Sequence, residues 1–444
     1  MDIELRIEKL VFGGDGLGFV GGKACFVEGA LPEEKVLARI SSDKPNFMKA
    51  RLVHVLEPSP HRIHPPCPYI ERCGGCQYQH LPYPEELKWK ENQVRESFSQ
   101  AFKTGEIPVL PIQHGSKEYG YRKSITIHRT TEKNNKPQRL GFIGHDNYSK
   151  VLINYCMLAD ERLREVFTAE HKLNRREEKR AFKLDEKGRI FSSDEEKLYR
   201  VSVNGRSFWT SSMGFFQNNI EVTELIAKKL TEYIAVIKPS RFLDLYAGVG
   251  TFPLLVAHGV PETHCFEDSP YSTGCLRRNV KELELPLAGI FAGKVEKTFP
   301  HFIVHSPNTN QSKRSGPNTY QLPQSGNWGR PSHHLLKESK DLGGDWGSSC
   351  PHPEEEMKDK DNPKLGTLVF MDPPRQGIAS SLAGFLARED AGENILYLAC
   401  DLQILLRDLK QILVFNRYRI REVIPFDMFP RTKHIEVLAW LTRI

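Results

Sequence analysis

The chain opens on alternation. Between residues 1 and 58, apolar and polar side chains take turns in segments such as LVFGGDGLGFVGG and KACFVEGALPEEKVLARI, broken by glycine turns. A period of two points successive side chains to opposite faces, so this stretch predicts short strands closing a small β-barrel. PEELKWKENQVRESFSQAF (Pro84–Phe102) changes to helical spacing, with a proline suited to the first turn and Glu85 and Glu86 near the positive end. Alternation returns between 117 and 212 in YRKSITIHR, KVLINYCML and LYRVSVNGRSFWTS, which predict a second, mainly β region. Within it, basic HKLNRREEKR reads as a solvated helical face.

From residue 218 the period changes again. NNIEVTELIAKKLTEYIAVI has apolar residues at helical spacing. RFLDLYAG (strand), TFPLLVAHGV (helix), HCFED (strand) and YSTGCLRRNVKELEL (helix) follow in turn. Such alternation predicts an α/β sheet of parallel strands joined through helices. Residues 303–363 break the pattern. They are polar and rich in Pro, Gly, Ser and Asn, too poor in apolar surface to offset ordering entropy, so a disordered insertion is expected. Cys350 inside it is taken as incidental. The α/β pattern resumes at GTLVFMDPPRQG. There is no internal repeat. The N-terminal barrel suits the OB type, which often binds oligonucleotides, or a generic β-module.

Composition adds bounds. At 444 residues the chain exceeds one simple core, and roughly two to four domains are expected. It is 39% hydrophobic and 27% charged, no apolar run reaches membrane-span length, and the charged start MDIELRIEKL lacks a signal core. A cytoplasmic protein without a membrane partner is therefore expected, in a compartment where structural disulfides are rare. A formal charge of +6 permits an anionic partner without demanding one.

Nine cysteines then point to metal ligands, a catalytic thiol and buried bystanders. CPYIERCGGCQYQH sets Cys67, Cys73 and Cys76 at C-x5-C-x2-C, with Gly74 and Gly75 free to wrap closely around a bound centre. A tetrahedral metal or a cubane needs four ligands, and Cys156 in the adjoining β region is the candidate fourth; spacing leaves zinc and [4Fe–4S] both open. His80 reads as a satisfied polar residue.

Three stretches lie where α/β sheets place their sites. FLDLYAGVGTFPLLVA gives Asp244-x-x-x-Gly248-x-Gly250 between strand and helix, but Pro253 stands where a dinucleotide fingerprint wants glycine. That fits the looser loop of S-adenosylmethionine enzymes. Glu267, ending the next strand, could accept hydrogen bonds from ribose hydroxyls. Asp372 ends a strand before Pro373-Pro374, and Cys400 ends another before a helix with Leu402, Leu405, Leu406, Leu409, Ile412 and Leu413 on one face. A helix dipole can stabilise a thiolate there, or the thiol is a buried, inert strand cysteine. Glu436 sits early in a hydrophobic strand, where a carboxylate is costly unless paired or working.

Together, FFQNN, LDLYAGVGTF, DPPR-x-G, YLAC and FPRTKHIE, with the cysteine stretch and the N-terminal alternation, resemble the RNA uracil-5-methyltransferase family over nearly the whole chain outside 303–363. The resemblance implies an α/β class I (Rossmann-like) methyltransferase domain (91–116 and 213–444). It also implies an OB-like RNA-binding TRAM barrel (1–58) and a β-rich iron–sulfur central domain (59–90 and 117–212). The implied cofactors are S-adenosylmethionine and a [4Fe–4S] cluster on Cys67, Cys73, Cys76 and Cys156. The implied roles are Cys400 as nucleophile, Glu436 as general base, and Gln217, Tyr246, Thr251, Glu267 and Asp372 as the lining of the cofactor and uracil pocket. TRAM plus cluster is similar to the 23S ribosomal RNA branch. A transfer RNA substrate and a non-catalytic RNA-binding protein on this scaffold are the alternatives, and a monomer is expected. The family usually has Asn-Pro after the nucleophile; here Asp401-Leu402 follows, and a negative Asp401 is expected to raise the thiol pKa.

Overall fold

A computed structural model of the chain describes residues 1–103, 107–129, 140–169, 177–285, 287–305, 366–387 and 391–444. The N-terminal alternation folds into β1 (Asp2–Leu10), β2 (Gly16–Val20), β3 (Lys23–Glu28), β4 (Lys35–Asp43) and β5 (Phe47–Glu57). They close into a barrel in the order β1-β2-β3-β5-β4. Ile3, Leu5, Ile7, Val27 and Val36 point inward as the period of two requires.

α1 (Tyr83–Ala101) covers the predicted helix within a residue at each end. Its Glu86 is not a solvated dipole partner, however. It is fully buried and paired with Lys90, also buried, which in turn holds Asp427 at 2.7 Å. β6 (Gln113–His114) leads into the middle region. There β7 (Ser124–Arg129), β8 (Leu140–Ile143), β9 (Lys150–Leu152), the short α2 (Arg164–Thr168), β10 (Lys179–Leu184) and β11 (Ile190–Ser192) form a sheet ordered β11-β10-β7-β8-β9. Most of HKLNRREEKR lies outside the described residues. β12 (Leu198–Val203) and β13 (Arg206–Ser211) make a separate ribbon. Its Tyr199, Val201 and Phe208 pack with Leu254 and Leu276 of the α/β part.

The α/β part carries α3 (Ile220–Ile237), β14 (Arg241–Leu245), α4 (Thr251–Val256), β15 (Glu262–Glu267), α5 (Pro270–Glu282), β16 (Gly289–Ala292), α6 (Val295–His305), β17 (Thr367–Met371), α7 (Ser380–Leu386), β18 (Asn394–Ala399), α8 (Leu402–Leu413), β19 (Tyr418–Asp427) and β20 (Glu436–Arg443). The eight-stranded sheet runs β16-β15-β14-β17-β18-β20-β19-β6. Strand alternation splits its core in two. Leu243, Leu245, Val369 and Ile395 face α1, α6, α7 and α8, while Phe242, Phe370 and Leu396 face α3 and α4.

The all-parallel expectation fails on one side. β18–β20 and β20–β19 are antiparallel, because β19 and β20 are joined by a short loop with no crossover helix. The polar stretch 303–363 also begins differently: residues 303–305 complete α6, with Ile303 buried, and the rest lies outside the described residues. No helix among the described residues is long and apolar enough to cross a membrane.

Candidate active site

A cavity of about 1040 Å³ opens at the C-terminal ends of the parallel strands. Cys400, Glu436, Gln217, Tyr246, Thr251, Glu267 and Asp372 all line it. The glycine loop follows β14 through Tyr246, which is forced to φ +75° while its N–H and that of Ala247 both donate to the Phe266 carbonyl at 2.9 Å. That turn aims the Gly248 N–H at Glu267 Oε2 (2.7 Å), and Ser269 N–H donates to Oε1 (2.8 Å). Both carboxylate oxygens are thus oriented, and each keeps lone-pair capacity for a ligand. Burial pushes Glu267 above the usual carboxylate range.

Asp372 leaves β17 with its side chain held by Gln217 Nε2 at 3.2 Å. Burial lifts its pKa to about 7 against the pull of that donor. The turn behind it is braced by Asp408 of α8, fully buried, which accepts from Ile378 N–H (2.9 Å) and Tyr397 Oη (2.6 Å). Tyr246 Oη donates to Glu296 at 3.1 Å.

Cys400 and Glu436 meet through the antiparallel register. Ala399 pairs with Val437, so the residue after β18 and the first residue of β20 stand side by side although 36 positions apart. In a parallel pair they would lie at opposite ends of the sheet. Burial, then Glu436, pushes the Cys400 thiol up to about 12; Arg375 pulls it down and Asp372 raises it. Burial and Asp372 hold Glu436 well above its ordinary value, again opposed by Arg375. Glu436 Oε2 is buried with no hydrogen-bond partner among the described residues.

Two expectations about the thiol change. The helix dipole does not win at Cys400, because the first-turn N–H groups of Gln403 and Ile404 are taken by the Asp401 carboxylate. Asp401 is therefore the helix cap, and the charges acting most strongly on the thiol are those of Glu436, Arg375 and Asp372.

Sequence reasoning used Asp244 only to mark the loop. Its carboxylate is fully buried, neither oxygen has a hydrogen-bond partner among the described residues, and burial with Asp372 and Glu267 nearby raises it well above its ordinary value. A carboxylate ending a buried strand was the available signal. Arg375, the cation that balances this acidic floor, was legible only as part of DPPR.

Cys67, Cys73, Cys76 and Cys156 line a second cavity, of about 210 Å³. All four are free thiols, and burial pushes Cys76 up to about 12. Among the described residues no group of three or more His, Cys, Asp and Glu is arranged to hold a metal ion. Arg122 lines the same cavity with its guanidinium fully buried; burial opposes its charge, while Tyr121, Cys156 and Cys76 act the other way and leave its pKa above the ordinary arginine value. Gly74 serves packing rather than wrapping: a Cβ there would come 2.8 Å from the Gly144 carbonyl oxygen, while Gly75 lies against the Cys73 sulfur. His80 is no ligand of this cavity. Its Nε2 is buried with no hydrogen-bond partner among the described residues, and burial lowers its pKa to about 4.

Comparison with known proteins bears on the family and the fold. A family model described as tRNA (uracil-5-)-methyltransferase matches residues 361–444, and a TRAM domain model matches residues 2–53. A protein of Bdellovibrio bacteriovorus called an uncharacterised RNA methyltransferase is 28% identical over 99% of this chain and 94% of its own length. One of the same description from Treponema denticola is 26% identical over 98% of both chains. The crystal structure of Pyrococcus abyssi tRNA (uracil-54, C5)-methyltransferase with S-adenosyl-L-homocysteine superposes with a TM-score of 0.63 at 18% identity, over 99% of this chain and 100% of that one.

Proposed function

We infer, from the premise that the chain is an RNA uracil-5-methyltransferase-like enzyme with an N-terminal TRAM domain, that it methylates carbon 5 of a uridine in RNA through a covalent cysteine adduct. The observation that carries this reading is the register that sets Cys400 beside Glu436, in the cavity that also holds the glycine loop.

Uracil's electronics dictate the rest. Carbon 5 is a poor nucleophile. When the Cys400 thiolate adds to carbon 6, an electron pair moves onto the ring as an enolate, and carbon 5 can attack the sulfonium methyl of S-adenosylmethionine, breaking its S–CH3 bond and releasing S-adenosylhomocysteine. Glu436 then takes the carbon-5 proton. The electrons of that C–H bond restore the ring double bond as the C6–S bond breaks, returning the thiolate. Arg375 is the cation that favours both the thiolate and the carboxylate. Gln217, Tyr246, Thr251, Glu267 and Asp372 hold and orient cofactor and base, the carboxyl groups of Glu267 and Asp372 suiting a sulfonium and an ammonium. The uridine must leave any duplex to reach this cavity.

Cys67, Cys73, Cys76 and Cys156 would hold a [4Fe–4S] cluster. They surround a cavity rather than converge on a point, which suits a bulky group better than one zinc ion, and Arg122 offers a buried positive charge to an anionic thiolate cluster. Such a group would supply a compact cross-link, and no redox step occurs in the reaction. The substrate class we propose is 23S ribosomal RNA, modified by a monomer in the cytoplasm. The TRAM barrel together with the four-cysteine site supports the ribosomal choice, and the end-to-end fold likeness to a transfer RNA enzyme makes transfer RNA the alternative.

The test is to map 5-methyluridine in ribosomal and transfer RNA with and without the gene. Loss from 23S ribosomal RNA is the expected result, and loss from transfer RNA moves the substrate. Purified protein should also form a denaturant-stable adduct with 5-fluorouracil RNA. An active Cys400→Ala variant overturns the nucleophile, and cofactor binding with no methyl transfer to any RNA overturns the enzymatic reading.

A further inference from the structure

Glu436 is delivered to the cavity by the loop between β19 and β20, and that loop is gripped from outside its own sheet. Gln77 and Tyr78, which follow Cys76 directly, donate their backbone N–H groups to the Arg431 carbonyl at 3.0 and 3.2 Å. The Gln77 side chain accepts from the Lys433 N–H at 2.9 Å, and its amide donates back to the Gly74 carbonyl at 2.9 Å, between Cys73 and Cys76. Arg431, 4% exposed and held at φ +68°, sends its guanidinium the other way, to the Leu81 carbonyl (2.7 Å) and to Glu118. Its N–H donates to buried Glu86 at 2.8 Å. Tyr121 Oη donates to the Pro430 carbonyl at 3.0 Å, and neighbouring Arg122 lies over the ring of Phe429, itself a wall of the active-site cavity. A bulky residue at positive φ, bonded at its N–H, its carbonyl and both terminal guanidinium nitrogens, marks a backbone whose shape is imposed by its surroundings.

We propose that segment 73–78 is the positioning element for the general base: Gln77 and Arg431 are positioning residues through which the four-cysteine site fixes where Glu436 stands. The role rests on the methyl-transfer reading above. It assigns the cysteine site a specific step. Cofactor binding uses the glycine loop and thiol addition uses Cys400, neither of which touches this grip, whereas carbon-5 deprotonation depends on the placement of Glu436.

Two variants test it in the full chain. RNA from a strain lacking the gene and S-adenosylmethionine with a tritiated methyl group give the rates at which methylated, denaturant-stable adduct forms and is released. Gln77→Ala should bind cofactor as the wild type does and form adduct within a few-fold of the wild-type rate, since moving Glu436 also changes its push on the thiol, but release it about 10²-fold more slowly, the scale of a ~1 Å misplacement of a reacting group. Arg431→Lys, which keeps the charge but loses the fork, should show the same split. Amide exchange across 428–435 should speed up in both variants and in Cys76→Ser while β17 stays protected. Formation and release falling together, release at the wild-type rate, or unchanged exchange across 428–435 would each overturn the positioning role. Absence of adduct from the wild-type protein on either RNA would instead overturn the methyl-transfer reading and the role with it.

Discussion

The Cys400 thiol should react slowly in the free protein, by an amount its surroundings fix. Burial and Glu436 lift it from about 9 to about 12. At pH 8 an ordinary thiol at 9 is roughly one-tenth thiolate, whereas Cys400 is about one part in 10⁴, a deficit of about 10³. A more basic thiolate is a better nucleophile, with a Brønsted slope of ~0.45, so three pH units return about 20-fold. The net expectation is alkylation by iodoacetamide about 50-fold slower than for a free thiol, rising about tenfold per pH unit between pH 7 and 10. Arg375→Gln removes the cation that pulls the thiol down most strongly and should slow alkylation further. The assay is time-resolved mass spectrometry of the peptide carrying Cys400. A rate equal to or above that of free cysteine at pH 8, or faster reaction in Arg375→Gln, would refute the reasoning. Either would mean that the site stabilises the thiolate before RNA arrives.

Other outcomes follow from the same geometry. Glu436→Gln should lower turnover about 10²–10⁴-fold while methylated adduct accumulates on a denaturing gel; turnover within tenfold of wild type would remove it as the base. Affinity for S-adenosylmethionine should rise with pH up to about 7 and then level, because Asp372 is neutral below that value and attracts the cationic cofactor once ionised. Calorimetry at pH 6 and 8 reads this, and a step surviving in Asp372→Asn would exclude Asp372. Lys90→Met leaves Asp427 buried without its cation and Glu86 with only the longer Arg431 contact, and should cost about 3–5 kcal/mol, read as a lowered urea midpoint; a cost below ~1 kcal/mol would show the cluster relaxing around the loss. Visible absorbance from an iron–sulfur cluster should accompany the anaerobically purified protein and disappear in Cys73→Ser, whereas a colourless protein with stoichiometric zinc would replace the cluster by zinc.

Periodicity was enough to read most elements. Alternation placed the barrel strands, helical spacing placed α1, α3 and α8 within a residue or two, and the strand-ending carboxylates and thiol fell into one cavity. What escaped was set by partners distant in sequence. Glu86 looked like a dipole acid until α1 laid it against Lys90 and Arg431. Asp401 looked like a charge against the thiol, but local capping geometry turned it toward the helix. The antiparallel turn of β20 was hidden because a buried strand reads the same in either direction. Arg122 and Gln77 carry no local signature, since their meaning lies in the surfaces they join.

The insertion of β20 between β18 and β19 also gives the protein an order of assembly in time. During synthesis the thiol leaves the ribosome 36 residues ahead of its carboxylate, an interval of about 2–7 s at ~5–20 residues per second. Throughout it, β18 has an open edge and the proposed nucleophile has no Glu436 beside it. On the proposed mechanism a nascent chain held at that stage could at most capture a uridine without releasing it, so the entry of β20 between β18 and β19 would complete the catalytic pair.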